Sequence, residues 1–323
     1  MRLFVVLLSK MKISVIIPTY NQDTFIEDTI KSVLNQKGPE IELLVYDSNS
    51  TDRTPEIIEK YKDQLTWIQE SDRGMVDAIN RGFRKCSGDI VAWINSDDSY
   101  LPGIFKSVAE AFSSDPELHF LYGDALDMDT LGNIQSPNLF TENPVSNRYL
   151  YSHNFIVQPT FFFRRSVLNS IAPIRDDLFW TMDYEWFGRI FLSGMKGQRF
   201  PAFIALNRDY SKTKTNTGGF ARYLEMIYVL ASRPGPFFLS RRSLRIYTLE
   251  YLIKGLRQKQ FSLSNLEKIR QRLINWLDIK FLKWVAPHRQ TEIIKSFQEE
   301  IVPKGLSLKE QWDNHIKNTL NAD

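Results

Sequence analysis

The chain has 323 residues, 43% of them apolar, with 41 Lys and Arg against 38 Asp and Glu; that suits one large domain or a catalytic domain with an appendage. A formal net charge of +3 with no Lys/Arg block argues against nucleic acid as a partner, and the single Cys86 excludes an intrachain disulfide and a cysteine-based metal site. The apolar run 3–8 stops at Ser9 and Lys10, and no uncharged stretch reaches membrane-spanning length.

Residues 1–12 read as a short leader. Residues 13–17 (ISVII) are β-branched and read as a buried strand. Pro18 lacks an N–H and is expected to end its ladder, which delivers Thr19, Tyr20 and Asn21 to the sheet edge. Thr24 and Glu27 have the spacing of a capping box, opening a helix with Ile26, Ile30, Val33 and Leu34 on one face. Residues 41–46 form the next strand, followed by a polar loop, 47–52, and a helix opened by Thr54 as N-cap and Pro55 in its first turn. Residues 65–69 are a third strand. Asp72, Arg73 and Gly74 turn the chain into an amphipathic helix whose apolar side carries Met75, Ala78, Ile79, Gly82 and Phe83.

Residues 88–100, GDIVAWINSDDSY, organise everything around them. A strand at 90–94 runs straight into Asn95, Ser96, Asp97 and Asp98. Adjacent acids at the end of a buried strand repel unless a positive charge neutralises them. A divalent cation with oxygen ligands would do so and would bring phosphates with it; an exposed acidic turn is the alternative. Strands alternating with helices imply right-handed βαβ units and a mostly parallel sheet, so the loops carrying Tyr20, Asp47 and Asp97 open at one edge, where such sheets bind ligands. A Rossmann dinucleotide domain would need GxGxxG after the first strand, where PTYN stands instead.

Beyond a helix at 102–112, residues 120–122 read as a short strand and 124–147 as a polar loop region. The stretch 157–164 is strongly apolar, so Trp93 and the run Phe161, Phe162 and Phe163 are expected in the core. Asp183 begins a helix with Phe187, Ile190 and Phe191 spaced for burial, and 203–206 is the last strand. From Gly218 the chain turns helical, with amphipathic stretches at 263–284 and 292–301. The boundary is placed so that 13–217 is the catalytic domain and 218–323 a helical extension.

Four segments, SVIIPTYN at 14–21, LLVYDSNSTDRT at 43–54, ESDRGMVDAINRG at 70–82 and SGDIVAWINSDDSY at 87–100, resemble in order and interval the motifs of the family 2 glycosyltransferases. The resemblance covers residues 13–207 and is nearest the bacterial surface-polysaccharide branch. It implies an α/β GT-A fold, a nucleotide-binding half beside an acceptor half, and inverting, hexosyl-type transfer from a nucleotide-diphosphate sugar to a glycan or lipid-linked hydroxyl. It implies that Pro18, Thr19 and Tyr20 line the nucleotide pocket and that Asp47 contacts base or ribose. Asp77 and Asn80 would flank the nucleotide or sugar, with Asn95 and Ser96 beside them. Asp97 would hold Mn²⁺ or Mg²⁺ on the diphosphate, and Asp183 would be the base. The chain departs from the pattern where Asn95 replaces the first acid of D-x-D, Ser48 a frequent second acid after Asp47, and Met182 the Glu before the base.

Each residue also has a structural reading. Asp97 could cap a helix, Asp47 the turn after it, and Asp183 could be an acid favoured by a helix N-terminus. His153, Gln158 and Trp180 are candidate acceptor-site residues, Trp180 for stacking on a sugar. A non-catalytic nucleotide-sugar-binding protein would keep the fold and lose the acids, and a nucleotidyltransferase would want a glycine-rich basic loop after the first strand. Residues 233–259 carry seven Lys or Arg against Glu250, interleaved with Phe237, Phe238, Tyr247 and Tyr251. Such a segment can lie on an anionic bilayer or pack on the domain; the expected location is the cytoplasm, with peripheral contact at the inner membrane face.

Overall fold

The computed structural model describes residues 11–138, 154 and 156–232; His153, the basic segment 233–259 and the later helices lie outside them. The first half is a parallel sheet of β1 (Lys12–Thr19), β2 (Glu40–Asp47), β3 (Thr66–Gln69) and β4 (Ile90–Trp93), in the order β3-β2-β1-β4. It is crossed by α1 (Ile26–Leu34), α2 (Thr54–Glu59) and α3 (Met75–Lys85). Period-two alternation along β1 sends Ile16 to one core, shared with Ile79 and Phe83 of α3, and Val15 and Ile17 to the other, shared with Ile26 and Ile30 of α1. Both faces of β1 are therefore covered, which is why it reads as an unbroken apolar run. Gly82 lets α3 lie directly on β1, since a Cβ there would meet Ile16 at 2.5 Å.

The second half is mixed. It contains β5 (Ser99–Tyr100), α4 (Ile104–Ser114), β6 (Phe120–Met128), β7 (Ile134–Asn138), a 3₁₀ turn (Gln158–Thr160), β8 (Phe162–Arg164) and α5 (Val167–Ser170). Then come α6 (Met182–Leu192), β9 (Gly197–Arg208), α7 (Lys214–Thr217) and α8 (Gly219–Ser232). β8 is antiparallel to both β4 and β6, so β6 runs with the first half, and β9 is parallel to β6. β5 and β7 are antiparallel to β9 and β6. Trp93 and Phe161 to Phe163 are core, as expected, and Phe161 packs on Phe187 at 4.3 Å between ring centroids.

Several local expectations change. β1 continues through Pro18 to pair Thr19 with Asp47. The missing Pro18 N–H would point to the β4 side, where β4 has already left after Ile94 N–H bonds Ile16 O. The Thr24 capping box is not formed: α1 starts at Ile26 and the Thr24 hydroxyl bonds Asp23. Thr54 is the first residue of its helix rather than the cap, and its N–H bonds Asp52 Oδ1 at 2.9 Å. Residues 124–128 and 134–138 are strand, so the expected polar loop region is in part sheet; Asp127 is held there by amides from Asn138 and Asn207. Helix α8, just past the expected boundary at 217, buries Met226 and Val229 in the core that contains α3 and α6.

Candidate functional site

A cleft of about 880 Å³ opens at the carboxyl ends of β1 and β4. It is lined by Pro18, Thr19 and Tyr20 with Asn95, Ser96 and Asp97. Asp127, Asn207, Arg208, Tyr210, Phe179 and Lys214 also line it. The sheet topology thus brings six of the sequence-derived residues to one opening.

The two acids after β4 have different surroundings. Asp98 is buried, accepting from Arg208 N–H at 2.8 Å through Oδ1 and from the Asn95 amide at 3.3 Å through Oδ2. Burial, followed by repulsion from Asp97, pushes its carboxyl well above the usual range. Asp97 lines the cleft, accepts from the Tyr210 hydroxyl at 3.2 Å, and is also raised by burial, with that bond and the Arg208 charge pulling the other way. Arg208 is 4% exposed and ties the loop down: Nε bonds Asp97 O at 2.8 Å, Nη1 bonds Asp129 O at 2.8 Å, and the guanidinium lies 4.4 Å over the Phe25 ring. Asn95 Oδ1 is buried without a partner.

At the ends of β1 and β2, Asp47 is 1% exposed and accepts from Ser50 N–H and Oγ through Oδ1, while its Oδ2 and the neighbouring Thr19 hydroxyl are buried without partners. Both stand at paired positions of β1 and β2. The loops after these strands are laced together. Asn21 N–H bonds Ser50 Oγ, Thr51 N–H bonds Asn21 Oδ1, Gln22 N–H bonds Thr54 Oγ1 and Asp23 N–H bonds Asp52 Oδ2, at 2.8–3.0 Å. Asn21 and Asn49 take left-handed φ of 51° and 54°.

Other residues fall elsewhere. Asn80 spends both ends of its amide on the Ile174 backbone, at 2.8 and 3.0 Å, joining α3 to the segment before α6. Asp77 sits in the first turn of α3, accepts from Arg73 N–H and pairs with Arg81 at 2.9 Å. Burial pushes its carboxyl up, but those partners leave it below the usual value. Neither residue lines the cleft. Gln158 donates to Trp93 O at 2.8 Å, at the end of β4. Trp180 is not among the residues that line the cleft and packs where α7 meets α8: a Cβ on Gly218 would lie 2.8 Å from its indole. Asp183 is in the first turn of α6, with Oδ1 accepting Tyr184 N–H at 2.6 Å. Burial raises its carboxyl, with the Arg222 and Lys214 charges opposing.

Sequence reading did not single out Arg208, Tyr210, Lys214, Phe179 or Glu225. Glu225 of α8 accepts the N–H groups of Phe179, Trp180 and Thr181 at 2.7–2.8 Å and so ties down the segment that leads into α6. Only the charged run at the end of β9 and beyond it, NRDYSKTK at 207–214, carried a hint.

No group of three or more His, Cys, Asp or Glu among the described residues is arranged to hold a metal ion. Asp97 offers one carboxylate and Asn95 an unpartnered amide oxygen beside it. That donor set fits a hard divalent ion that takes most of its ligands from phosphate and water. No described helix is long and apolar enough to cross a membrane.

Residues 14–172 match the family described as Glycosyl transferase family 2. An uncharacterized glycosyltransferase of Nostoc sp. is 30% identical over 184 residues, covering 53% of this chain and 56% of the relative. The putative teichuronic acid biosynthesis glycosyltransferase TuaG of Bacillus subtilis is 36% identical over 93 residues, 27% of this chain and 36% of the relative. The chain thus spans about half the length of the first of these relatives and about a third of the second. Among solved structures, S. aureus TarS 1–349 in complex with UDP-GlcNAc aligns with a TM-score of 0.57 at 20% identity, covering 95% of this chain and 89% of that one. The mannosyltransferase PcManGT of Pyrobaculum calidifontis, in complex with GDP-Man and Mn²⁺, aligns at 0.59 and 17% identity, covering 90% and 87%. The architecture is GT-A, a mixed α/β sheet in which most strands are parallel.

Proposed function

Residues 14–172 are a glycosyl transferase family 2 domain, and on that premise we propose that the chain transfers a sugar from a nucleotide-diphosphate donor to a hydroxyl of a glycan or lipid-linked acceptor in surface-polysaccharide synthesis. The observation that carries this reading is that Asp97, Thr19 and Tyr20 line one cleft in which buried atoms of Thr19 and Asn95 lack partners, while Asp47, paired with Thr19 across β1 and β2, has an unpartnered buried oxygen as well. A buried polar atom without a partner is costly, so these atoms favour a ligand that supplies hydrogen bonds. Asp47 Oδ2 and the Thr19 hydroxyl would take the base or ribose.

Asp97, with Asn95 next to it, would hold a divalent cation, which when bound supplies positive charge to the departing diphosphate. Asp183 would take the proton from the acceptor hydroxyl as it attacks the anomeric carbon from the face opposite the leaving group, giving inversion. Burial raises the Asp183 carboxyl toward the range in which a base works, while the nearby Lys214 and Arg222 charges limit the rise. The sequence of 233–259 supports peripheral contact with an anionic inner-membrane surface. Flotation with anionic liposomes that is lost at high salt is the expected result, and equal flotation on neutral vesicles would reject it.

The deciding experiment is a thermal-shift screen of UDP-, GDP- and dTDP-sugars with and without Mn²⁺, on the wild type and Asp97→Ala. One nucleotide should stabilise the wild type in a Mn²⁺-dependent way, and the variant should lose that dependence with its circular dichroism unchanged. A variant that responds like the wild type would remove Asp97 from the site.

A further inference from the structure

Phe179 is 56% exposed and lines the cleft, whose lining also includes Thr19, Asp97, Asn138 and Asn207. Its position is fixed from behind: the backbone N–H bonds Glu225 at 2.8 Å, and the ring edge packs on Trp180 with centroids 4.8 Å apart at 77°. The Lys214 ammonium sits 3.9 Å from the Phe179 ring centroid and also lines the cleft. It makes no hydrogen bond or ion pair within 4 Å of a described residue; Asp183 and Glu225 act on it only from farther off. Among the described residues this half-buried ammonium touches a ring face and no carboxylate, which leaves it open to an anionic partner. An exposed ring held rigid beside such a cation is a surface prepared for a ligand that is apolar on one face and negatively charged at its edge.

We propose that Phe179 and Lys214 form the acceptor subsite and that it takes a pyranose carrying an anionic group, a carboxylate or a phosphate. The C–H face of the sugar lies on Phe179, the anion meets Lys214, and the amides of Asn138 and Asn207, already ordered by Asp127 at 2.9–3.0 Å, face its hydroxyls. The assignment rests on the transferase reading. It is placed on the acceptor side because Phe179 belongs to the segment that Glu225 ties down just before α6, whose first turn carries Asp183, the group that would accept the acceptor proton, whereas the donor diphosphate would lie at Asp97.

The test uses the full chain with Mn²⁺ and a nucleoside diphosphate, and titrates methyl glucuronide, glucose 1-phosphate and neutral methyl glucoside by saturation-transfer NMR. The wild type should prefer an acidic probe, and whichever acidic probe is preferred identifies the anion. Phe179→Ala should weaken that probe about tenfold while Phe179→Trp retains it. Lys214→Met should erase the preference for acid over neutral sugar. Neither substitution should change nucleoside diphosphate affinity. Equal binding of acidic and neutral probes by the wild type, or an unchanged Phe179→Ala, overturns the subsite with the transferase reading intact. Loss of nucleoside diphosphate affinity in Lys214→Met assigns the lysine to the donor phosphates and overturns it too. A wild type that binds UDP, GDP and dTDP not at all overturns the transferase reading and this assignment with it.

Discussion

Replacing Arg208 with Met tests whether the acidic loop is held by a residue more than a hundred positions away. The substitution keeps the length of the apolar stem but removes two hydrogen bonds to the carbonyls of Asp97 and Asp129, both at 2.8 Å, and the cation 4.4 Å over Phe25. Hydrogen bonds from a charged donor are worth ~1.5–3 kcal/mol each, and a buried cation–π contact ~2 kcal/mol. Relaxation and water entry return part of this, so the expected cost is ~3–5 kcal/mol, as for breaking a buried charge pair. Urea unfolding of the metal-free protein measures it. Arg208→Lys, which keeps the charge and loses the planar fork, should cost less. The backbone N–H of residue 208 still reaches Asp98 in every variant, so a cycle with Asp98→Asn isolates the charge: coupling of ~0.5–3 kcal/mol is expected. A cost below ~1 kcal/mol for Arg208→Met, with no coupling to Asp98, would refute the argument that this guanidinium compensates the two acids.

Asp183→Asn should lower kcat by ~10²–10⁴-fold with little change in donor affinity; collapse of donor binding would make the residue a donor contact or a structural one. Because burial raises the Asp183 carboxyl, the acid limb of the wild-type rate profile should lie above the ordinary carboxylate range. The same shift has a stability sign. The folded state holds a proton that the unfolded chain releases, so this contribution is full below the unfolded pKa and is lost as pH rises through the folded one. The Asn variant should flatten that part of the stability curve measured by denaturation from pH 3 upward. Asn80→Ala should cost ~1–3 kcal/mol, since it leaves the Ile174 N–H and C=O unpaired, while nucleotide affinity measured by titration calorimetry stays unchanged; a loss of affinity would return Asn80 to the binding site.

The parallel half was legible because each of its elements announces itself locally. Residues 13–17 and 90–94 are apolar runs of strand length, the helix at 75–85 has one apolar side, and each strand ends in polar residues, so Thr19, Tyr20 and Asp97 could be placed at one edge. The second half lacked such signals. β6 runs through Gly123, Asp124 and Asp127, whose polarity reads as loop until Arg199, Asn138 and Asn207 are seen to satisfy the acids. Asn80 and Asp77 lie in a motif with a family role attached, but their hydrogen bonds go to Ile174, Arg73 and Arg81, partners that helical spacing reveals only for the arginines. Trp180 was the aromatic expected to face a sugar, and its neighbour Phe179 is the one exposed in the cleft. A one-residue difference in a loop cannot be read from composition. Glu225 and Arg208 act across 44 to 46 and 110 to 111 positions, and no local pattern marks such pairs.

The lacing of the loops after β1 and β2 bears on the thermodynamics of ligand capture. Four main-chain N–H groups, from Asn21, Gln22, Asp23 and Thr51, are already bonded to side chains of the opposing loop, and the left-handed turns at Asn21 and Asn49 are already set. The conformational entropy of this wall is given up when the chain folds and is not charged again to the complex. Capture of the nucleotide should therefore show a heat-capacity change no larger than its own buried apolar area requires, and amide hydrogens of these loops should be as slow to exchange without ligand as with it.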